Sequence, residues 1–358
     1  AGRVETGKSM RRQIRGATGR CHRADRMVSA FTFVALLGLA VSLVLPAAAG
    51  AQIRPVTSAK QMSSYPSLSK VHAAILAAEK ATTPPSHVTP TISALAAEDD
   101  WGGDLQAESS CPTLGVSAAT FNLSQCAFGD TKSTTVVALV GDSRAQMWLD
   151  TFNTLGVAEH FKLVLIAKSG CPVPMGTYET NNDNGTVSAA PWAACTTFHS
   201  FLASSLASLH PSVIVISSNY QLDLADPPHL AKPAEVAADM AGFLKTLPAA
   251  STKVVLGGFP QPAPTASPTL CLSKGPKKIN SCNFVPSSAV VAENAASQSA
   301  AKAAGADFIN QTRWFCAATC PSIIASIIPY TIDGYHADKT YLNYLTGVLW
   351  GSLKPFFP

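Results

Sequence analysis

The sequence predicts an α/β domain built on a parallel sheet with helices on both sides. Three observations carry this. From about residue 111, short β-biased runs alternate with longer Ala/Leu-rich helical runs, the pattern of a repeated strand–helix unit. The β-biased runs are nearly all apolar rather than alternating, as strands buried on both faces are. The chain also has material for a large core, with 358 residues, 47% hydrophobic and only 13% charged.

The strand candidates are Thr134–Val140, Leu163–Ala167, Val213–Ser217, Lys253–Gly257 and Ala306–Ile309. Between them, Ala145–Leu155, Thr196–Leu209, Ala234–Lys245 and Ser287–Ala304 read as helices. No internal repeat is present. Residues 50–110 are rich in Ala, Ser, Thr and Pro. Within them, 67–81 places Val71, Ile75 and Ala78 at helical spacing, and an extended stretch, a short helix and a loop follow. This segment reads as a linker with structure of its own, and 111–358 as the main domain.

The net charge of +4 is unevenly spread. Residues 1–50 hold eight basic and two acidic residues, whereas the rest holds 18 basic and 20 acidic. With no basic stripe interleaved with aromatics in the main body, nucleic-acid binding has little support. Residues 28–49 carry no charge, and about 20 such residues cross a bilayer core. Their basic flank, 1–27, is expected on the cytoplasmic side, with everything after residue 50 exported. A cleaved signal peptide starting at Met10 and ending near Ala49-Gly50-Ala51 is the alternative. An uncleaved membrane segment in a piece of a larger protein is the preferred reading, and both export the main body.

Eight of the nine cysteines follow the apolar segment. An even number in an exported region points to disulfides. Sequence does not fix their connectivity; sequential pairing is the expectation, because each pair then clips a loop between predicted elements. A metal site at Cys316 and Cys320 is the alternative, but no nearby His or second Cys pair completes four ligands.

Parallel sheets place their sites just beyond the carboxyl ends of the strands. The first strand ends there at Gly141-Asp142-Ser143. Glycine permits a tight turn, and the helix expected from near Arg144 turns its free N–H groups toward the serine. Those groups would hold a developing negative charge. A serine before a helix is most often its N-cap, so this corner alone does not establish a nucleophile. The second patch lies near the other end, where Asp333 stands three residues before His336 in "TIDGYHADKTY". A serine hydroxyl needs a base to take its proton, and the base needs a partner that fixes its tautomer. An Asp and a His on one turn supply both. A surface turn with a solvated His is the bland alternative.

Together the patches resemble the GDSL/SGNH hydrolase superfamily, and in particular the extracytoplasmic SGNH domain fused to membrane acyltransferase-3 proteins. The resemblance runs over most of residues 67–358. It rests on "VVALVGDSRAQMW", "AKSGCPVP" and "DGYHADKTY", with a linker-like segment before them. It implies a flavodoxin-like three-layer α/β/α sandwich with a parallel five-stranded sheet, preceded by a membrane helix and a partly helical linker. It implies Ser143 as nucleophile, His336 as base and Asp333 as orienting acid. The oxyanion hole would combine the Ser143 N–H, the Gly170 N–H and the Asn219 side chain. One departure is Arg144, where the fused domains usually carry His. It is either an outward-pointing surface arginine or a fixed cation that favours an anionic acceptor or stabilises the oxyanion.

The implied activity is O-acyl transfer, usually of acetyl, through an acyl-enzyme. The donor would be a membrane acyltransferase-3 domain or subunit, and the acceptor an extracytoplasmic glycan or glycolipid. Hydrolysis by a carbohydrate esterase uses the same triad, and a non-catalytic glycan-binding module is the alternative from another class. Trp148, Trp192 and Trp314 would line a sugar-stacking surface or, more often in this setting, the core. Three glycosylation sequons begin at Asn122, Asn184 and Asn310. No phosphate-binding Gly loop or dinucleotide fingerprint appears, and neither a cofactor nor a metal is expected.

Overall fold

The computed structural model describes residues 62–97, 111, 122–181, 187–219, 223–225, 228–263 and 266–358. The segments expected to be cytoplasmic (1–27) and membrane-embedded (28–49) lie outside the described residues. Among the described residues, no helix is long and apolar enough to cross a membrane.

Among the described residues, six strands form the central sheet: β1 (Ala127–Gly129), β2 (Val136–Gly141), β3 (Lys162–Ala167), β4 (Val213–Ser217), β5 (Thr252–Gly257) and β6 (Asp307–Asn310). Their spatial order is β1-β3-β2-β4-β5-β6. The five expected strands are all present and mutually parallel. Strand β1 adds a sixth, antiparallel to β3 at the sheet edge. At three residues it is too short to show any periodicity in sequence.

The apolar strands are buried on both faces, and their side chains alternate between two cores. Val137 and Leu139 of β2 enter one, while Val136, Ala138 and Val140 enter the other. The first core is closed by α1 (Leu68–Lys80), α3 (Ser143–Gln146), α4 (Leu149–Ala158), α10 (Lys339–Tyr344) and α11 (Thr346–Leu353). The second is closed by α5 (Ala193–Leu209), α6 (Pro233–Thr246) and α8 (Ser288–Ala303). Val71 and Ile75, two of the residues at helical spacing, are fully buried on α1. Each such side chain stabilises the fold by roughly 1.5–3 kcal/mol. Shorter helices are α2 (Ile92–Ala97), α7 (Pro268–Ser273) and α9 (Thr312–Phe315).

The helix expected over Ala145–Leu155 is two helices, α3 and α4. The break falls at Met147–Trp148, where the Trp148 ring is fully buried, edge-on to Trp314 at 6.0 Å. Trp192 is also buried. All three tryptophans are therefore core, as the more common reading has it, and do not form a sugar-stacking surface. Among the described residues there are four disulfides, Cys111–Cys126, Cys171–Cys195, Cys271–Cys282 and Cys316–Cys320. They are sequential, and the bond between Cys316 and Cys320 removes the metal alternative there.

Candidate active site

Strands β3, β2 and β4 are adjacent and end together: Gly141 pairs with Ala167 on one side and Ser217 on the other. Just beyond this edge stand Gly170, Ser143 at the start of α3, and Asn219. Gly141 is required by space. A Cβ there would lie 1.7 Å from the Ser217 carbonyl oxygen. The chain can therefore run close against β4 as it turns into α3.

The N-cap of α3 is Asp142, not Ser143. Asp142 is 1% exposed. Its Oδ1 accepts from the Arg144 N–H at 2.8 Å, and its Oδ2 accepts from Ser218 Oγ at 2.9 Å and the Asn219 N–H at 2.7 Å. Burial pushes this carboxyl up, opposed by those hydrogen bonds and the Arg144 charge. Asp142 thus fastens the β2 corner to the loop after β4 and leaves Ser143 free of the capping role. The Ser143 backbone N–H makes no hydrogen bond among the described residues.

The distant turn meets this corner. His336 Nε2 lies 2.8 Å from Ser143 Oγ, and His336 Nδ1 lies 2.7 Å from Asp333 Oδ2. With Nδ1–H donating to the carboxylate, Nε2 presents its lone pair to the serine hydroxyl. Asp333 is itself held in place. Its Oδ1 accepts from Thr331 Oγ1 at 2.6 Å, the Tyr335 N–H at 2.7 Å and the His336 N–H at 3.2 Å. Burial alone would raise the Asp333 carboxyl. The bond to the His336 imidazole and those from Thr331 and Tyr335 outweigh it and hold the carboxyl well below the usual carboxylate range. Asp338, two residues on, caps α10 through Thr340 and takes no part.

Gly170 occupies a left-handed turn, φ +69°, three residues beyond β3. The turn is tied back by the Lys168 N–H to Gly141 O at 3.1 Å and the Cys171 N–H to Lys168 O at 3.1 Å. The Cys171–Cys195 bond clamps it to α5. The Gly170 N–H makes no hydrogen bond among the described residues. Asn219 stands two residues beyond β4 with its backbone N–H committed to Asp142. Arg144 corrects the surface reading. It is 5% exposed, its Nη2 donates to Gln261 Oε1 at 2.6 Å, and its guanidinium lies 4.1 Å from the centre of the Phe259 ring. Together with Asn219, Gln261, Glu293 and Gln311, it lines a cavity of about 20 Å³.

Sequence reasoning passed over Asp142, Thr331 and Gln261. The carboxylate beside the serine was the available signal for the first. The other two act through contacts that spacing does not reveal. Cys171, Cys195 and His199 bring metal-capable atoms within 4.8 Å of one another. However, the sulfurs are bonded together, and His199 Nε2 lies 2.7 Å from Pro172 O, to which it donates.

A family model described as the SGNH domain fused to AT3 domains matches residues 110–347. The chain belongs to this family. All of the candidate residues of the SGNH domain lie within the matched span. No curated protein matches the chain. Among solved structures, it is similar to the periplasmic domain of a lipopolysaccharide acetyltransferase from Salmonella ser. Paratyphi A. The identity is 13% and the TM-score 0.49, over 73% of this chain and 99% of that one.

Proposed function

We propose that this SGNH domain is a serine-dependent O-acyltransferase working outside the cytoplasm. The observation that carries the reading is the unbroken run of short contacts from Ser143 Oγ through both nitrogens of His336 to Asp333.

In the first half-reaction, Ser143 Oγ attacks the carbonyl carbon of the acyl donor as its proton passes to His336 Nε2. The new imidazolium is stabilised by Asp333, which stays ionised. The oxyanion is held by the N–H groups of Ser143 and Gly170 and by the Asn219 side chain. Collapse expels the donor's leaving group, which takes the proton from His336, and leaves an ester on Ser143. In the second half, His336 removes a proton from an acceptor hydroxyl, whose oxygen attacks that ester. Ser143 leaves and recovers its proton.

The donor in this reading is an acyltransferase-3 membrane domain or subunit, in keeping with the family's description as fused to AT3 domains. The acceptor is a hydroxyl of an envelope glycan or glycolipid, and the acyl group is acetyl. Segment 28–49 anchors the domain at the membrane.

The test is labelling with a fluorophosphonate probe, followed by transfer of acetyl from an aryl acetate to a glycan. Stoichiometric labelling that Ser143→Ala abolishes supports the reading. Equal labelling of both proteins overturns it. Acetate release without glycan acetylation would assign the domain to hydrolysis.

A further inference from the structure

Ser143 and His336 are 193 residues apart, and their contact needs both halves held to a fraction of an ångström. The side chain next to the nucleophile reaches the segment that supports the base. Arg144 is bonded to Gln261, itself 3% exposed, and lies over Phe259. Both partners belong to the segment that leaves β5.

Pro262 and Ser267, further along the chain, stand against the turn carrying Asp333 and His336. Gly334, at φ +71°, is packed so closely that a Cβ there would lie 3.0 Å from Pro262 Cγ and 3.3 Å from Ser267 Cβ. Thr269 Oγ1, fully buried at the start of α7, donates to Tyr330 O at 2.6 Å. The Phe259 ring meets the Tyr330 ring edge-on at 6.1 Å. Thr331, which follows Tyr330, donates to Asp333 Oδ1.

We propose that Arg144 is a positioning residue. Through Gln261 and Phe259 it ties the nucleophile's corner to the segment that buttresses the Asp333–His336 turn, and so sets the Ser143–His336 contact. This rests on the acyltransferase reading. A planar guanidinium suits the task, since it stacks on an aromatic face while donating in its own plane. Its burial withdraws it from any acceptor in solvent. Its charge therefore serves the framework of the site, not recognition of an anionic sugar.

The test compares fluorophosphonate labelling, and kcat and KM for an aryl acetate, in the full chain and its variants. Arg144→Met is expected to slow labelling and lower kcat by about 10–100-fold, the scale of a sub-ångström to ångström misplacement. KM and the final fraction of labelled protein should change less than about twofold. Gln261→Leu should act in the same direction, and Gln261→Glu, which keeps an acceptor, should retain more of the rate. The double variant Arg144→Met/Gln261→Leu should be no slower than the slower single variant, because the two serve one link. Wild-type rates in both single variants overturn the proposal. So do multiplying losses, or a fall in the labelled fraction at an unchanged rate, which marks simple loss of folded protein. Gln261→Leu supplies the answer if Arg144→Met does not fold. Failure of the wild-type chain to label overturns the acyltransferase reading itself, and is thereby distinguished from failure of this inference.

Discussion

Asp142 and Asn219, 77 residues apart, are joined by a 2.7 Å hydrogen bond from the Asn219 backbone N–H to Asp142 Oδ2. With the bond from Ser218 Oγ, this closes β2 against β4 at the corner that presents Ser143. Asp142→Ala removes an N-cap and two cross-strand acceptor contacts. The expected cost is about 2–4 kcal/mol of stability, measured by urea unfolding, with slower probe labelling of Ser143. Asp142→Asn should fall between, because an amide offers one oxygen where the carboxylate accepts on two.

Ser143→Ala should lower acyl transfer by at least about 10³-fold while leaving the fold intact. Ser143 is partly exposed and Asp142 caps the helix, so the melting temperature should move by less than about 2 °C. A large drop in melting temperature would show that the hydroxyl has a structural task.

Asp333→Asn should cut kcat by roughly 10³–10⁴-fold, because an amide on the Oδ2 side no longer fixes the Nδ1–H tautomer of His336. The same carboxyl links stability to acid. Its folded pKa lies below the ordinary value of 3.8. Its stabilisation is therefore present above that value and is lost as pH falls toward the folded one. Unfolding of the wild type and Asp333→Asn, followed from pH 7 to pH 2, should show a gap in stability that narrows below about pH 4.

Glu293 gives the opposite sign. It is 3% exposed on α8, and burial pushes its carboxyl from 4.5 up to about 7. Between these values the folded chain binds the proton more tightly than the unfolded chain, so rising pH reduces stability across that window. Glu293→Gln should flatten this slope and raise the melting temperature at pH 8 by about 2–4 °C or more. No gain should appear near pH 4.5. Equal shifts at both pH values would rule out titration as the cause.

Gly141→Ala should prevent normal folding or cost more than about 3 kcal/mol, since its Cβ would sit 1.7 Å from the Ser217 carbonyl oxygen and backbone cannot yield as a side-chain tip can. Expression yield and far-UV circular dichroism read this directly.

The parts of the molecule legible in sequence were those written locally. Runs such as Val136–Val140 announce strands buried on both faces, and the five parallel strands lie within two residues of expectation. The Asp333–His336 spacing marks a turn that carries both groups. What sequence did not show depends on contacts across the fold. Arg144 read most simply as a surface residue because its partner, Gln261, lies 117 residues away. That Asp142 rather than Ser143 caps the helix was not legible, because Asp142 engages Ser218 and Asn219 in the loop after β4, which nothing near it signals. The helix break before α4 falls at Trp148, which is buried against Trp314, and no Gly or Pro marks it.

The four disulfides span 15, 24, 11 and 4 residues, and each closes before the next begins. A chain emerging N-terminus first meets each thiol's correct partner as the next cysteine to arrive. Every ring closes over a short loop, for which the entropic cost is smallest. Oxidative maturation can therefore proceed link by link, with no pair waiting open while later cysteines compete for it.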